Sequence, residues 1–308
     1  MDIEIPQAGE ATLLEKTPAA PKAKSAAVQP QRGWQPIARS VGTHGALIIA
    51  SFIAAFPLIL IFLTSLKPES EVLSTSINLL PRHMSLDNYS YVLHDNFFLY
   101  ARNSILIAVG TMIFSLIITL PAGYALSRFE FLGKQGVMLS FLVTQMFPAP
   151  LLLVPLYVLF VQFHLLNSLG GLILAYATTA LPFSVWMLKN FFDAIPRELD
   201  QAGLVDGLNV WGVFYRIVMP LTIPGIAVVA FYNFINSWNE FMFANLFLSP
   251  DPQTATLPLG ITHYVFATGA HWQWLCAYAI LVTIPVIAFF FWAQRYLISG
   301  LTGGSVKG

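Results

Sequence analysis

Ile195-Pro196-Arg197-Glu198-Leu199-Asp200-Gln201-Ala202-Gly203-Leu204-Val205-Asp206-Gly207 is a polar, amphipathic segment between two long apolar runs. Leu199, Ala202 and Val205 recur at i, i+3 and i+6, which gives a short helix one apolar edge. Asp206-Gly207 is a strong break, because glycine reaches positive φ without steric cost. Asn209 is a good N-cap for a second short helix carrying Trp211, Val213, Phe214 and Ile217, and Pro220 closes the segment. The expected product is a compact helix-turn-helix knob within 193–219. A rigid knob can pass on a push, whereas a floppy loop cannot.

The flanking runs set the class. The chain has 308 residues, is 56% hydrophobic with mean hydropathy +0.69, and is only 10% charged. A soluble domain carries about 25% charged residues, so this is an integral membrane protein. Six stretches reach the ~20 apolar residues that cross a bilayer: Ala46–Leu66, Ser104–Leu126, Val137–Phe163, Leu169–Leu188, Leu221–Leu248 and Trp272–Leu297. In lipid an open chain satisfies its backbone only as helix, and the alternation of a membrane barrel is absent. The expected fold is all-α, with six transmembrane helices over 43–308 (core 98–297) and the 193–219 loop between spans four and five. Residues 1–42, rich in Ala, Pro, Lys and Gln without an apolar core, read as a disordered tail rather than a signal peptide.

Lys and Arg orient the spans. With the N-terminus inside, Lys16, Lys22, Lys24, Arg32, Arg39, Arg128, Lys134, Lys189, Arg197, Arg216, Arg295 and Lys307 are cytoplasmic, twelve in all. Lys67, Arg82 and Arg102, three in all, are outside. An even span count puts both termini and the knob in the cytoplasm. The outer loops Lys67–Arg102 and Ser249–His271 read equally as partner surfaces or as plain connections.

Several chemistries are missing. There is no G-x-x-x-x-G-K-[ST]; Gly133-Lys134 is followed by Gln135, so no P-loop binds ATP here. No G-x-S-x-G, H-E-x-x-H or paired-cysteine motif occurs. Cys276 is the single cysteine and the six histidines lack metal-ligand spacing. The chain reads as a non-enzyme with no cofactor or metal of its own, and its energy must come from a partner.

Glu240 is the one charged residue expected inside a span, and such residues default to a functional reading. At 100° per residue, Asn233, Asn236, Ser237 and Glu240 share one face. Glu240 lies roughly 24 Å beyond Pro224, toward the outer half of the membrane. One reading is a wall of a translocation path, with amides and a carboxylate pairing sugar hydroxyls and Trp238 stacking on a ring. The other is interhelical hydrogen bonding. Gln145, just before Pro148, Pro150 and Pro155, belongs to the same question: the prolines kink span three either beside a path or for packing alone.

The segment from Ile195 to Gly207, with Pro220 and Pro224 downstream, resembles the permease signature of ABC importers, in which an EAA triplet is followed by glycine. Gln201-Ala202-Gly203 stands at the triplet and Gly207 at the glycine. Gln201 replaces the usual acid, Gly203 an alanine, and Leu208 a small residue. Pro121 to Phe129, Met146-Phe147-Pro148, Trp238-Asn239-Glu240-Phe241 and the Gly300–Gly308 terminus resemble carbohydrate permeases of the maltose type, in particular the smaller six-span subunit. The resemblance implies the type I ABC importer permease fold in the cytoplasmic membrane of a prokaryote. It implies a second permease, two ATPase subunits that bind the ATP, an extracytoplasmic binding protein, and a sugar or oligosaccharide as cargo. Glu198, Gln201, Ala202, Gly203, Asp206 and Gly207 would then couple to the ATPase, with Ser305 and Lys307 touching it from the tail. The alternatives are a proton-coupled secondary carrier using Glu240, an ABC permease for a non-sugar solute, and a membrane enzyme or scaffold.

Overall fold

A computed structural model describes residues 35–74, 78–248, 251–266 and 269–303. The first 34 residues and the tail positions Ser305 and Lys307 lie outside the described residues. By contacts the chain divides at Ala54. Helix α1, Gln35–Ser65, begins within the 1–42 stretch read as tail. Its residues before the division expose Leu47, Ile48, Phe52 and Ile53, each more than 60% accessible, which suits a helix solvated by lipid.

The larger unit holds the rest. Short helices α2 (Glu69–Val72) and α3 (Asp87–Val92) lead into α4 (Phe98–Arg128). Then come α5 (Lys134–Met146), α6 (Ala149–Gln162) and α7 (Leu169–Asp193). The loop supplies α8 (Arg197–Val205), α9 (Val210–Val213), a π-helical turn at Phe214–Val218 and α10 (Met219–Leu221). Helices α11 (Ile223–Asn239), α12 (Met242–Phe247), α13 (Leu257–Gly260) and α14 (Trp272–Gly303) follow. Between the last two, β1 (Val265–Phe266) pairs antiparallel with β2 (Gly269–Ala270), a small exception to the all-helical expectation.

Among the described residues four helices are long and apolar enough to cross a membrane, and counting each of two bent pairs as one span brings the number to six. The pairs are where the structure refines the sequence reading. Span three is α5 and α6, bent by 103°. Phe147 precedes Pro148 and is extended at ψ 125, as the clash with the proline ring demands. Span five ends at Asn239 rather than running to Leu248, and it meets the loop helices at a bend of 78°.

Helices α4 and α7 form the central pair, with α11 on both and α14 on α11. Beside the loop, Leu120, Tyr124, Leu188, Phe192, Val213, Phe214, Val218 and Val229 form one buried cluster, which roots the loop between α4 and α7. At the other end of α4, Asn103 Nδ2 donates to the carbonyls of Gln253 and Ala255 at 2.9 Å, and Ser104 Oγ accepts from Leu257 N at 2.8 Å. The knob and the 253–257 segment therefore lie at opposite ends of α4, about 37 Å apart along its axis.

Candidate functional site: a loop knob and a polar cavity

The loop folds by local rules. Glu198 and Asp200 lie in the first turn of α8, where the helix dipole favours carboxylates. The helix closes in a Schellman motif: Leu208 N donates to Gly203 O at 3.0 Å and Gly207 N to Leu204 O at 3.1 Å. That geometry needs a left-handed residue, and Gly207 supplies it at φ +87. Asn209 then caps α9, its Oδ1 accepting from Gly212 N at 2.7 Å.

Gly203 is the buried residue of α8. A Cβ there would stand 2.5 Å from Ile217 Cδ1 and 3.0 Å from Val213 Cγ2. Glycine thus lets α8 lie directly against the second half of the loop, and Ile217 fills the space that an alanine methyl would take. Glu198, Gln201, Ala202, Asp206 and Gly207 are all exposed. So is the apolar edge: Leu199 is 39% and Val205 86% accessible, with Trp211 and Tyr215 exposed beside them.

Polar contacts tie this knob to the ends of α4 and α7. Arg128 Nε lies 2.5 Å from Asp200 Oδ2, and the two side chains are only 6% and 14% accessible. Arg128 Nη2 donates to Ile195 O at 3.2 Å, and Arg197 Nη2 to Ser127 O at 2.9 Å. Ser127 Oγ donates to Asp193 Oδ1 at 2.6 Å, and Lys189 pairs with the same carboxylate. Nearby, the Lys134 ammonium donates to Glu130 Oε1 at 2.9 Å and holds the Glu130 carboxyl below its usual range.

The second feature is a cavity of about 360 Å³ between α5, α6, α7 and α11. Gln145, Asn236, Ser237 and Glu240 line it. Asn233 does not: it is fully buried, and its Oδ1 accepts from Ser184 Oγ at 2.9 Å. Trp238 does not either: it is 1% accessible and stacks on Phe234 at 5.5 Å. Glu240 sits in the break after α11, not within the helix. Its Oε1 accepts from Phe243 N at 2.9 Å and its Oε2 from Ala244 N at 3.2 Å, so the carboxylate caps α12. Two backbone amides at the start of α12 thus satisfy the carboxylate.

The sequence reading missed Thr144, Tyr176, Thr178, Thr179 and Tyr232, which also line the cavity. Tyr232 was recoverable, four residues before Asn236 and eight before Glu240 on one helical face. The α7 threonines carried no such signal, because hydroxyls bonding their own helix backbone are ordinary in apolar spans, and the Tyr176 hydroxyl meets Glu240 O only across 64 positions. The Arg128–Asp200 pair was also missed, since 72 positions separate its partners.

Residues 116–303 match the family model for the binding-protein-dependent transport system inner membrane component. The diacetylchitobiose uptake system permease protein of Streptomyces coelicolor is 33% identical over 82% of this chain and 92% of its own length. The arabinooligosaccharides transport system permease protein of Halalkalibacterium halodurans is 32% identical over 90% and 100%. Among solved structures, a chain of a bacterial ABC transporter involved in the import of the acidic polysaccharide alginate superimposes with TM-score 0.74 at 23% identity, over 87% of this chain and 99% of that one. A chain of the MetNI methionine ABC transporter superimposes at TM-score 0.52 and 17% identity, over 70% and 99%. At these identities the structural likeness is one of fold.

Proposed function

This chain belongs to the family of binding-protein-dependent transport system inner membrane components, and from that premise we propose how it works: as the smaller permease of an ABC importer for a sugar or oligosaccharide. The permease itself hydrolyses nothing; separate ATPase subunits drive it. Carbohydrate relatives at 33% and 32% identity over most of both chains support the cargo class. Fold alone does not set cargo, and the methionine transporter is a case in point. A second permease completes the pathway, and an extracytoplasmic binding protein delivers the sugar.

The 12-to-3 distribution of Lys and Arg supports a cytoplasmic knob. The knob receives the ATPase through Glu198, Gln201, Ala202, Gly203, Asp206 and Gly207. The observation that carries this reading is the apolar edge of α8: Val205 stands 86% accessible among the described residues. On the membrane side, Gln145, Asn236, Ser237 and Glu240 offer hydrogen bonds along the path, with the hydroxyls of Tyr176, Thr178, Thr179 and Tyr232. Asn233 and Trp238 support that wall from behind.

Val205→Asp tests the docking reading. The side chain is solvent-exposed, so the variant inserts and folds normally, but it should fail to retain the ATPase on co-purification. Wild-type retention of the ATPase by Val205→Asp would contradict it.

A further inference from the structure

α8 is joined to α7 through Ala194–Pro196, three residues of chain. The link is anchored to α7, with Ala194 N and Ile195 N donating to Asn190 O and Phe192 O and Ile195 packed on the cluster around Phe192. A second connection, from α4, runs beside that link. At the last residue of α4, the Arg128 guanidinium reaches across to α8 and meets Asp200 at 2.5 Å. Its other arm holds Ile195 O, the carbonyl just ahead of Pro196. Arg197, the first residue of α8, reaches back to Ser127 O. The two arginines thus cross-brace α4 and α8 in both directions, and the pair is shielded from water at 6% and 14% accessibility.

Shielding matters mechanically. An exposed pair trades its contact for water at little cost, whereas a buried pair that separates strands two charges. The contact therefore resists stretching. Helix α4 is packed along α7 and α11, and it carries Asn103 and Ser104, which hold the 253–257 segment at its far end. A displacement of α8 that moves α4 reaches the whole bundle.

We propose that the Arg128–Asp200 ion pair is the strut that passes displacement of the knob to α4, making Arg128 and Asp200 positioning residues of the transport cycle. This rests on the reading of α8 as the ATPase dock. Arg128 and Asp200 hold α4 and α8 together as one body through the cycle, so the docked ATPase moves the bundle rather than the loop alone. With the strut cut, ATP is hydrolysed but little cargo crosses.

The test uses the full transporter, with its binding protein, in proteoliposomes. The variant is Arg128→Cys/Asp200→Cys in a Cys276→Ala background, and the readout is ATP hydrolysed per sugar imported. Before cross-linking, this ratio should rise at least tenfold while the ATPase still co-purifies. A short bifunctional thiol reagent that rejoins α4 and α8 should bring the ratio back toward wild type. A normal ratio before cross-linking overturns the proposal, as does a raised ratio that cross-linking leaves unchanged. Asp200→Asn, close in shape and uncharged, covers the case in which the double variant does not assemble; it should show the same raised ratio. If neither variant assembles, the pair serves folding and the proposal falls. Loss of the ATPase from an assembled permease carrying wild-type Arg128 and Asp200 would fault the docking reading instead.

Discussion

Two glycines show how closely single residues govern the knob. Gly207 holds φ +87, and a Cβ there would meet no atom within 4 Å beyond its chain neighbours, so the cost of adding one is backbone strain. Gly207→Val should strain the turn by about 1–3 kcal/mol, leaving membrane insertion intact while lowering ATPase retention and substrate-stimulated hydrolysis. Gly207→Asn should come close to wild type, since asparagine enters the left-handed region more readily. Equal behaviour of Val and Asn would mean that the turn conformation is irrelevant. Gly203 is limited by space instead. Gly203→Ala pushes a methyl against Ile217 Cδ1 at 2.5 Å, an overpacking worth about 1–3 kcal/mol. Adding Ile217→Val removes that Cδ1 but leaves Val213 Cγ2 at 3.0 Å, so the double variant should recover part of the thermal stability lost by Gly203→Ala. Additive losses would place the clash elsewhere. The departure from the EAA pattern at position 203 thus has a local cause: the residue fourteen positions on occupies the space.

At the scale of elements, the parts legible in the sequence were those set by neighbours along the chain. The α8 helix, the Asp206-Gly207 turn and the Asn209 cap follow from residues within four positions of one another. The breaks in spans three and five did not follow. Pro148 predicted a kink, but a bend of 103° depends on how α5 and α6 pack. Hydropathy ran straight through Trp238 to Leu248, because Glu240 interrupts the helix by capping α12, a role that a run of Phe, Met and Leu does not announce. The helical-face argument gathered Asn233 with Asn236, yet a few tens of degrees separate the core from the cavity, and α7 claims Asn233 through Ser184. Glu240→Ala should therefore lose the cap of α12, at about 1 kcal/mol, and disturb the cavity wall with it. Glu240→Gln, which keeps an acceptor oxygen, should lose less in thermal stability; equal losses would show that capping is not its contribution. Asn236→Ala, an exposed wall residue, should lower sugar uptake without lowering assembly. A fall in both together would mark it as structural.

At the scale of the whole molecule, the energy for transport must enter from outside this chain. The chain carries no P-loop and belongs to a family of transport components. The purified chain alone should show neither ATP hydrolysis nor ATP binding in a nucleotide titration, and measurable affinity would contradict this. The rival mechanism is a carrier driven by protons through Glu240. The two mechanisms separate in one measurement: uptake of labelled oligosaccharide into proteoliposomes that hold this chain, its second permease, its ATPase and trapped ATP, with binding protein outside and a protonophore present. The account predicts uptake that depends on ATP and on the ATPase and is unchanged when the proton gradient is collapsed. Uptake that persists without the ATPase, or that disappears with the gradient, would contradict it.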